Sequence, residues 1–255
     1  MPRALPIIAA LLLAVTLVTP AVAEERIIGG VRYSVSEVPW TMSLRKDKTH
    51  ICGAVLITKN KALTAAHCVD HKTVKSLSVR AGSSDRTNGG VTAAVNTYVK
   101  HPNYNPATGD YDIALVYLAT SLKLSGTITP VDITAATPAL NTEVTVVGWG
   151  ELKKNGKDPR LLRGTRFRTV STAACQPGHL RTITPRMLCA GLPSGAKDAC
   201  HGDSGGPLTT NRDILVGLVS FGEPCTYPTV AGAYGVYVNL GQATIRQWIH
   251  QLANI

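Results

Sequence analysis

The spacing of short apolar segments constrains the fold of this chain more than any other feature. Short runs rich in Val, Ile, Leu and Thr recur along it, separated by clusters of Gly, Pro, Asn or Asp. Such runs are typical of β-strands joined by turns, and their number predicts an all-β barrel or sandwich. The clearest runs are 54–57, 76–80, 113–118, 143–147 and 214–220.

One segment near the C-terminus has a different periodicity. Residues 242–254 carry apolar side chains at intervals of three or four, which predicts an amphipathic α-helix. These side chains are Ile245, Trp248, Ile249 and Leu252. Residues 119–140 are rich in Thr, Ser, Ala and Pro, and we expect them to link two halves of the protein.

The first 23 residues predict a secretory signal. Arg3 provides a basic start, residues 4–18 are almost wholly apolar, and residues 21–23 supply a small-x-small cleavage site. A transmembrane anchor is the alternative, but the run contains Pro6 and is short for a membrane span. We therefore expect a secreted, extracellular protein that is not held in a membrane.

Charge and composition exclude several classes of protein. The chain carries a formal net charge of +10, and residues 1–26 hold as many basic as acidic side chains. With 44% hydrophobic and 16% charged residues, it is neither disordered nor a coiled coil. The charge suggests nucleic-acid binding, but no nucleic-acid motif accompanies it, so a generally cationic surface without a nucleic-acid partner is the favoured interpretation.

The chain has six cysteines, all of them after the signal segment. An even number in an exported chain predicts three disulfides, although fifteen pairings remain open at this point. The cysteines are Cys52, Cys68, Cys175, Cys189, Cys200 and Cys225. Cys68 and Cys200 each neighbour a histidine, but no Cys-x-x-Cys spacing occurs, so we expect no metal site.

Three short motifs carry residues for nucleophilic chemistry. Residues 64–68 place His67 beside a cysteine, Asp112 opens an apolar strand, and residues 202–207 place Ser204 in a glycine-rich turn. A serine that attacks a carbonyl needs a base to take its proton and a carboxylate to orient that base. It also needs hydrogen-bond donors for the oxyanion that forms.

These motifs, in the order His, Asp, Ser, resemble those of the trypsin-like serine proteases of the chymotrypsin-fold family. The resemblance extends from the Ile-Ile-Gly-Gly sequence at 27–30 to the predicted C-terminal helix. It implies two packed six-stranded antiparallel β-barrels, at about 27–130 and 131–240, followed by the α-helix. The active site would lie in the cleft between the barrels.

The resemblance assigns a catalytic role to each motif. His67 would be the general base, Asp112 its orienting carboxylate and Ser204 the nucleophile. The backbone N–H groups of Gly202 and Ser204 would form the oxyanion hole. The turn also fits the Gly-x-Ser-x-Gly elbow of α/β-hydrolases, but only His250 follows the serine and no strand–helix alternation is present, so this alternative fails.

The resemblance also predicts the substrate specificity. Asp198 lies six residues before Ser204, where the trypsin branch carries the acid at the base of its primary pocket. A carboxylate there favours substrates with Arg or Lys. Ala199 occupies a position where many relatives have Ser, which favours Arg over Lys because a Lys ammonium loses a partner. The other predicted pocket residues are Ser220, Gly222 and Gly235.

Activation is predicted at the bond between Arg26 and Ile27. Residues 24–26 would form a short propeptide, and the new amino group of Ile27 would pair with Asp203, as in the resembled family. Since Arg26 fits the predicted specificity, self-activation is our hypothesis.

The resemblance implies the disulfides Cys52–Cys68, Cys175–Cys189 and Cys200–Cys225. It further implies an enzyme without a cofactor that acts as a monomer on protein or peptide substrates and meets proteinaceous protease inhibitors. The alternative is a non-catalytic binding or regulatory homologue, and such proteins usually lack one of the three catalytic residues.

Overall fold

A computed structural model describes Met1 and residues 30–151, 159–193, 202–222 and 234–255. Strands dominate these residues. The strands of the N-terminal half are β1 (Val31–Arg32), β2 (Thr41–Lys46), β3 (Thr49–Thr58), β4 (Lys61–Thr64), β5 (Leu77–Ala81), β6 (Val91–Lys100) and β7 (Ala114–Leu118). Those of the C-terminal half are β8 (Asp132–Ile133), β9 (Glu143–Gly148), β10 (Arg163–Val170), β11 (Met187–Gly191), β12 (Pro207–Thr210), β13 (Ile214–Phe221) and β14 (Gly235–Asn239). The α-helices of the described residues are α1 (Ala66–Val69), α2 (Thr172–Cys175) and α3 (Ala243–Ala253).

The first six-stranded barrel is closed by β2, β3, β4, β7, β6 and β5 in that order. All of its pairings are antiparallel, and β2 completes the ring by bonding to both β3 and β5. Residues of β5 alternate between buried and half-buried, as expected where one face of a strand lines a core. Side chains with no exposed surface fill its interior, among them Met42, Leu44, Leu63, Val79 and Leu115.

The second barrel is formed by β9, β10, β11, β14, β13 and β12. The ring closes because β9 bonds to both β10 and β12. The short β1 and β8 add to its outside, β1 on β10 and β8 in parallel on β13. The prediction of two six-stranded antiparallel barrels is therefore confirmed, with residues 31–32 paired to the second barrel.

The C-terminal helix is also confirmed, within one residue of each predicted end. Gln242 caps it by accepting hydrogen bonds from the backbone N–H groups of Thr244 and Ile245, at 2.8 and 3.3 Å. Ile245 and Ile249 are fully buried. Tyr117 of the first barrel donates its hydroxyl to Leu252 O at 3.1 Å, so α3 docks on that barrel.

The strand predictions all fall on observed strands, with small differences at the ends. Ser76 belongs to a 3₁₀ turn rather than to β5, and β3 extends well beyond the predicted 54–57. Residues 119–140 contain only the two-residue β8 and otherwise connect the barrels irregularly. Among the helices of the described ranges, none combines the length and apolar character needed to span a bilayer.

Candidate active site

Two paired strands of the first barrel bring His67 and Asp112 together. His67 lies in α1, which follows the end of β4, and Asp112 lies just before β7. Thr64 of β4 pairs with Ala114 of β7, so the two adjoining segments meet at one end of the barrel. His67 Nδ1 lies 2.7 Å from Asp112 Oδ2, and the His67 backbone N–H donates to Oδ1 at 2.9 Å.

The Asp112 carboxylate is buried, with 3% of its surface exposed. Ser220 Oγ, from β13 of the second barrel, donates a third hydrogen bond to it at 2.6 Å. A buried carboxylate is tolerated when such donors replace its water. Because a carboxylate only accepts, the His67 Nδ1 atom is the donor, and Nε2 of the neutral ring is left to accept a proton.

Ser204 lies in a turn whose glycines adopt positive φ angles. Gly202 has φ +96° and Gly205 φ +76°. A Cβ on Gly205 would lie 2.2 Å from Thr64 Oγ1, so the turn packs tightly against the segment that leads to His67. Gly53 N donates to Ser204 O at 2.8 Å, and Gly205 N donates to Val219 O at 2.7 Å.

His67 and the Ser204 backbone face the same sulfur atom. Cys68 Sγ lies 3.7 Å from His67 Nε2 and 3.6 Å from Ser204 O. Within the described ranges, Ser204 Oγ makes no hydrogen bond with His67, and the N–H groups of Gly202 and Ser204 donate to no described residue.

Sequence reasoning missed His50, which supports the same turn. Its side chain is buried, with Nε2 3.0 Å from Gly202 O and Nδ1 2.8 Å from Ser43 Oγ. A carbonyl oxygen only accepts, so Nε2 carries the proton and Nδ1 accepts from Ser43. The sequence carries no local signal for this contact, because His50 and Gly202 are 152 residues apart.

The sequence profile of the trypsin family matches residues 27–249. Trypsin alpha-4 of Lucilia cuprina is 38% identical over 234 residues, covering 91% of this chain and 89% of that protein. Trypsin beta of Drosophila erecta is 37% identical over 230 residues, covering 89% and 88%. This chain belongs to the trypsin family.

The fold comparison agrees. Neuropsin, a serine protease expressed in the limbic system of mouse brain, superposes with a TM-score of 0.80 at 30% identity, covering 88% of this chain and 99% of the other. The protein is a trypsin-like serine endopeptidase, and proteases of this family act on protein substrates.

In this trypsin family member Asp203 is almost completely buried, with 1% of its surface exposed. Gly150 N donates to its Oδ1 at 2.7 Å. A Cβ on Gly148 or Gly150 would lie 2.0 or 2.4 Å from a carboxylate oxygen, so both glycines make room for the side chain. Its predicted partner Ile27 lies outside the described residues, as do the propeptide with Arg26 and the signal segment after Met1.

The described walls of the predicted pocket meet where β13 ends and β14 begins. Phe221 pairs with Val236, which brings Gly222 and Gly235 to the same end of the second barrel. Ser220, also assigned to the pocket, directs its hydroxyl to Asp112. Asp198 and Ala199 lie outside the described residues.

Two of the implied disulfides are present. Cys52 is bonded to Cys68 and Cys175 to Cys189, with Cα–Cα distances of 6.2 and 6.3 Å. Cys200 and Cys225 lie outside the described residues. Donor atoms of Cys52, His67 and Cys68 lie within 4.8 Å of one another, but the two sulfurs are bonded together and offer no thiolate to a metal.

Proposed function

We propose that this endopeptidase is secreted and hydrolyses peptide bonds after Arg, and less readily after Lys, through Ser204, His67 and Asp112. The observation that carries the proposal is the buried pairing of Asp112 with His67 Nδ1 at 2.7 Å. This pairing leaves His67 Nε2 as the basic atom of the ring. Nε2 lies near Cys68 Sγ, which also contacts the backbone carbonyl of Ser204.

In the proposed reaction Ser204 Oγ attacks the scissile carbonyl carbon while His67 Nε2 takes its proton. Asp112 stabilises the resulting imidazolium, and the N–H groups of Gly202 and Ser204 bind the oxyanion. Collapse of the tetrahedral intermediate breaks the C–N bond, and the amine leaves with the proton from His67. Water then attacks the acyl-enzyme, with His67 again as base, and Ser204 is regenerated.

Specificity rests on the sequence of the pocket. Asp198 at its base would form two parallel hydrogen bonds with a substrate guanidinium. Gly222 and Gly235 have no side chains to obstruct a long substrate residue. Ala199 offers no hydroxyl, so a Lys ammonium has one partner fewer than in relatives with Ser.

The proposed activation step is cleavage after Arg26. The Ile27 ammonium then binds Asp203, which is supported by the burial of this carboxylate in the space left by Gly148 and Gly150. Because Arg26 suits the enzyme's own pocket, a trace of active enzyme processes the precursor. A purified Ser204→Ala precursor should therefore retain residues 24–26; spontaneous loss of them would contradict self-activation.

The decisive experiment measures initial rates of the protein that starts at Ile27 on matched Arg, Lys and Phe peptide amides, with Ser204→Ala as control. We expect the rate order Arg, Lys, Phe, no turnover in the variant, and labelling of Ser204 by a phosphonylating reagent. Preferred cleavage of Phe would contradict the Asp198 pocket. No turnover and no labelling, with disulfides formed, would instead support a non-catalytic homologue.

A further inference from the structure

The residue before Asp112 has a backbone conformation that its side chain disfavours. Tyr111 has φ +52°, in the left-handed region, where bulky residues are rare and strained. Its carbonyl accepts from Ile113 N at 2.7 Å, which closes a three-residue turn centred on Asp112. The direction of the Asp112 side chain therefore depends on what keeps Tyr111 in this conformation.

The ring of Tyr111 contacts both a histidine and an arginine. It stacks on His101, with centroids 4.3 Å apart and planes 17° apart, and the Arg186 guanidinium carbon lies 5.1 Å from its centroid. His101 is itself fixed, because its ring lies 5.1 Å from that of Trp248 in α3. Its backbone N–H also donates to Ile113 O at 2.9 Å, across the turn.

Arg186 reaches this turn from the second barrel, from the loop that precedes β11. It forms an ion pair with Asp110, donating from Nη2 to Oδ2 and from Nε to Oδ1 at 3.2 Å. Thr184 Oγ1 donates to the same Oδ1 at 2.8 Å, and Tyr111 N does so at 3.1 Å. The Asp110 and Arg186 side chains are 16% and 26% exposed, so solvent screens their attraction less than at an open surface.

The charge states of this ion pair are stable at neutral pH. Burial alone would raise the pKa of Asp110, but hydrogen bonds from Arg186 and Thr184 outweigh it and hold the pKa below its ordinary value. The hydrogen bond from Arg186 to Asp110 raises the pKa of the guanidinium in turn. The contact between the barrels is therefore an ion pair at neutral pH.

We propose that Tyr111, held by Arg186 and His101, is a positioning residue that fixes the Asp112 carboxylate against His67. This inference rests on the proposed function of Asp112. The Arg186 guanidinium both binds Asp110 and lies against the ring of Tyr111. The second barrel thereby orients the carboxylate of the first through two contacts, this one and the hydroxyl of Ser220.

The test replaces Arg186, which touches neither His67 nor Ser204 in the described structure. For Arg186→Gln we expect kcat on an Arg amide to fall about 10- to 100-fold, the range for a small misplacement of a catalytic group. KM should change by less than about twofold, because the lost interaction acts on the reacting group.

Arg168→Gln is the matched control, because Arg168 forms an ion pair with Glu143, at 3.7 Å, within the second barrel. The Arg168→Gln variant should keep the wild-type kcat and KM.

Arg186→Lys gives the rescue measurement. Lysine restores the charge facing Asp110 but not the planar group over Tyr111, so kcat should recover only in part. If Arg186→Gln does not fold, kcat and KM are measured for Asp110→Asn instead. We again expect kcat to fall with little change in KM.

An unchanged kcat in the folded Arg186→Gln variant, or a loss of activity that appears in KM rather than in kcat, would overturn this inference alone. Absence of turnover in the wild type would overturn the proposed function and this inference with it.

Discussion

At the scale of single residues, the Asp112 carboxylate depends on groups from both barrels. His67 provides two hydrogen bonds from the first barrel, and Ser220 provides one from the second. A hydrogen bond to a charged group contributes about 1.5–3 kcal/mol, so each of the three is large enough to influence the reaction.

Replacing Ser220 tests one of these bonds. For Ser220→Ala we expect kcat/KM on an Arg amide to fall by about tenfold, because the lost bond to the charged carboxylate is only partly replaced by water. Ser125→Ala is the control, since among the described residues its exposed hydroxyl bonds only within its own turn. Equal activity of the Ser220 variant and the wild type would show that the hydroxyl is dispensable.

Gly205 provides a second test at this scale. Gly205 has φ +76°, and a Cβ on it would lie 2.7 Å from Gly53 O. Gly205→Ala should therefore destabilise the protein by at least about 1–3 kcal/mol and disturb the Ser204 turn. Urea denaturation measures the loss. Gly126→Ala serves as control, because nothing lies within 4 Å of its Cβ position. Equal stability of the two variants would contradict the tight packing of the turn.

At the scale of elements, α3 is an amphipathic helix whose buried side chains join the core of the first barrel. Ile245 and Ile249 belong to the same apolar cluster as Leu44 and Leu115. A helix of 11 residues is marginal on its own in water, so its packing against the barrel stabilises it.

We expect Ile249→Ala to lower the free energy of unfolding by about 2–5 kcal/mol, the usual cost of truncating a buried isoleucine. Gln251→Ala, on the exposed face of the same helix, should change it by less than about 0.5 kcal/mol. Thermal denaturation of both variants measures the difference. A small effect at Ile249 would mean that α3 detaches without loss of the barrel.

At the scale of the whole molecule, stability should depend on pH through His101. His101 is a buried residue, 6% exposed, whose ring packs against Tyr111 and Trp248. Burial lowers its pKa from the ordinary 6.5, although the charge of Asp110 opposes this. The unfolded chain then binds the proton more readily than the folded one. Stability should therefore fall as the pH drops below about 6.5.

Denaturant unfolding between pH 5 and pH 7 measures this dependence. His101→Gln should flatten the slope of stability against pH, whatever its effect on absolute stability. Gln251→Ala, which removes an exposed side chain that does not titrate, should leave the slope as in the wild type. An unchanged slope in the His101 variant would assign the pH dependence to other groups.

Much of the architecture could be predicted from local pattern, and the contacts of the site could not. The apolar run 214–220 predicts β13, and the spacing of Ile245 and Ile249 predicts α3. Nothing in the sequence indicates that His50 binds the carbonyl of Gly202, because the two are 152 residues apart. The same holds for Ser220 and Asp112, which are separated by 108 residues.

The sequence by itself determined where strands and the final helix form, since side-chain periodicity reports which face of each element is buried. Its motifs also placed His67, Asp112 and Ser204 in local settings that suit nucleophilic chemistry. Only the tertiary structure decided that β9 closes the second ring and that Arg186 reaches Tyr111. Such contacts depend on how the two packed barrels meet. Local sequence patterns carry no information about contacts between residues that lie far apart along the chain.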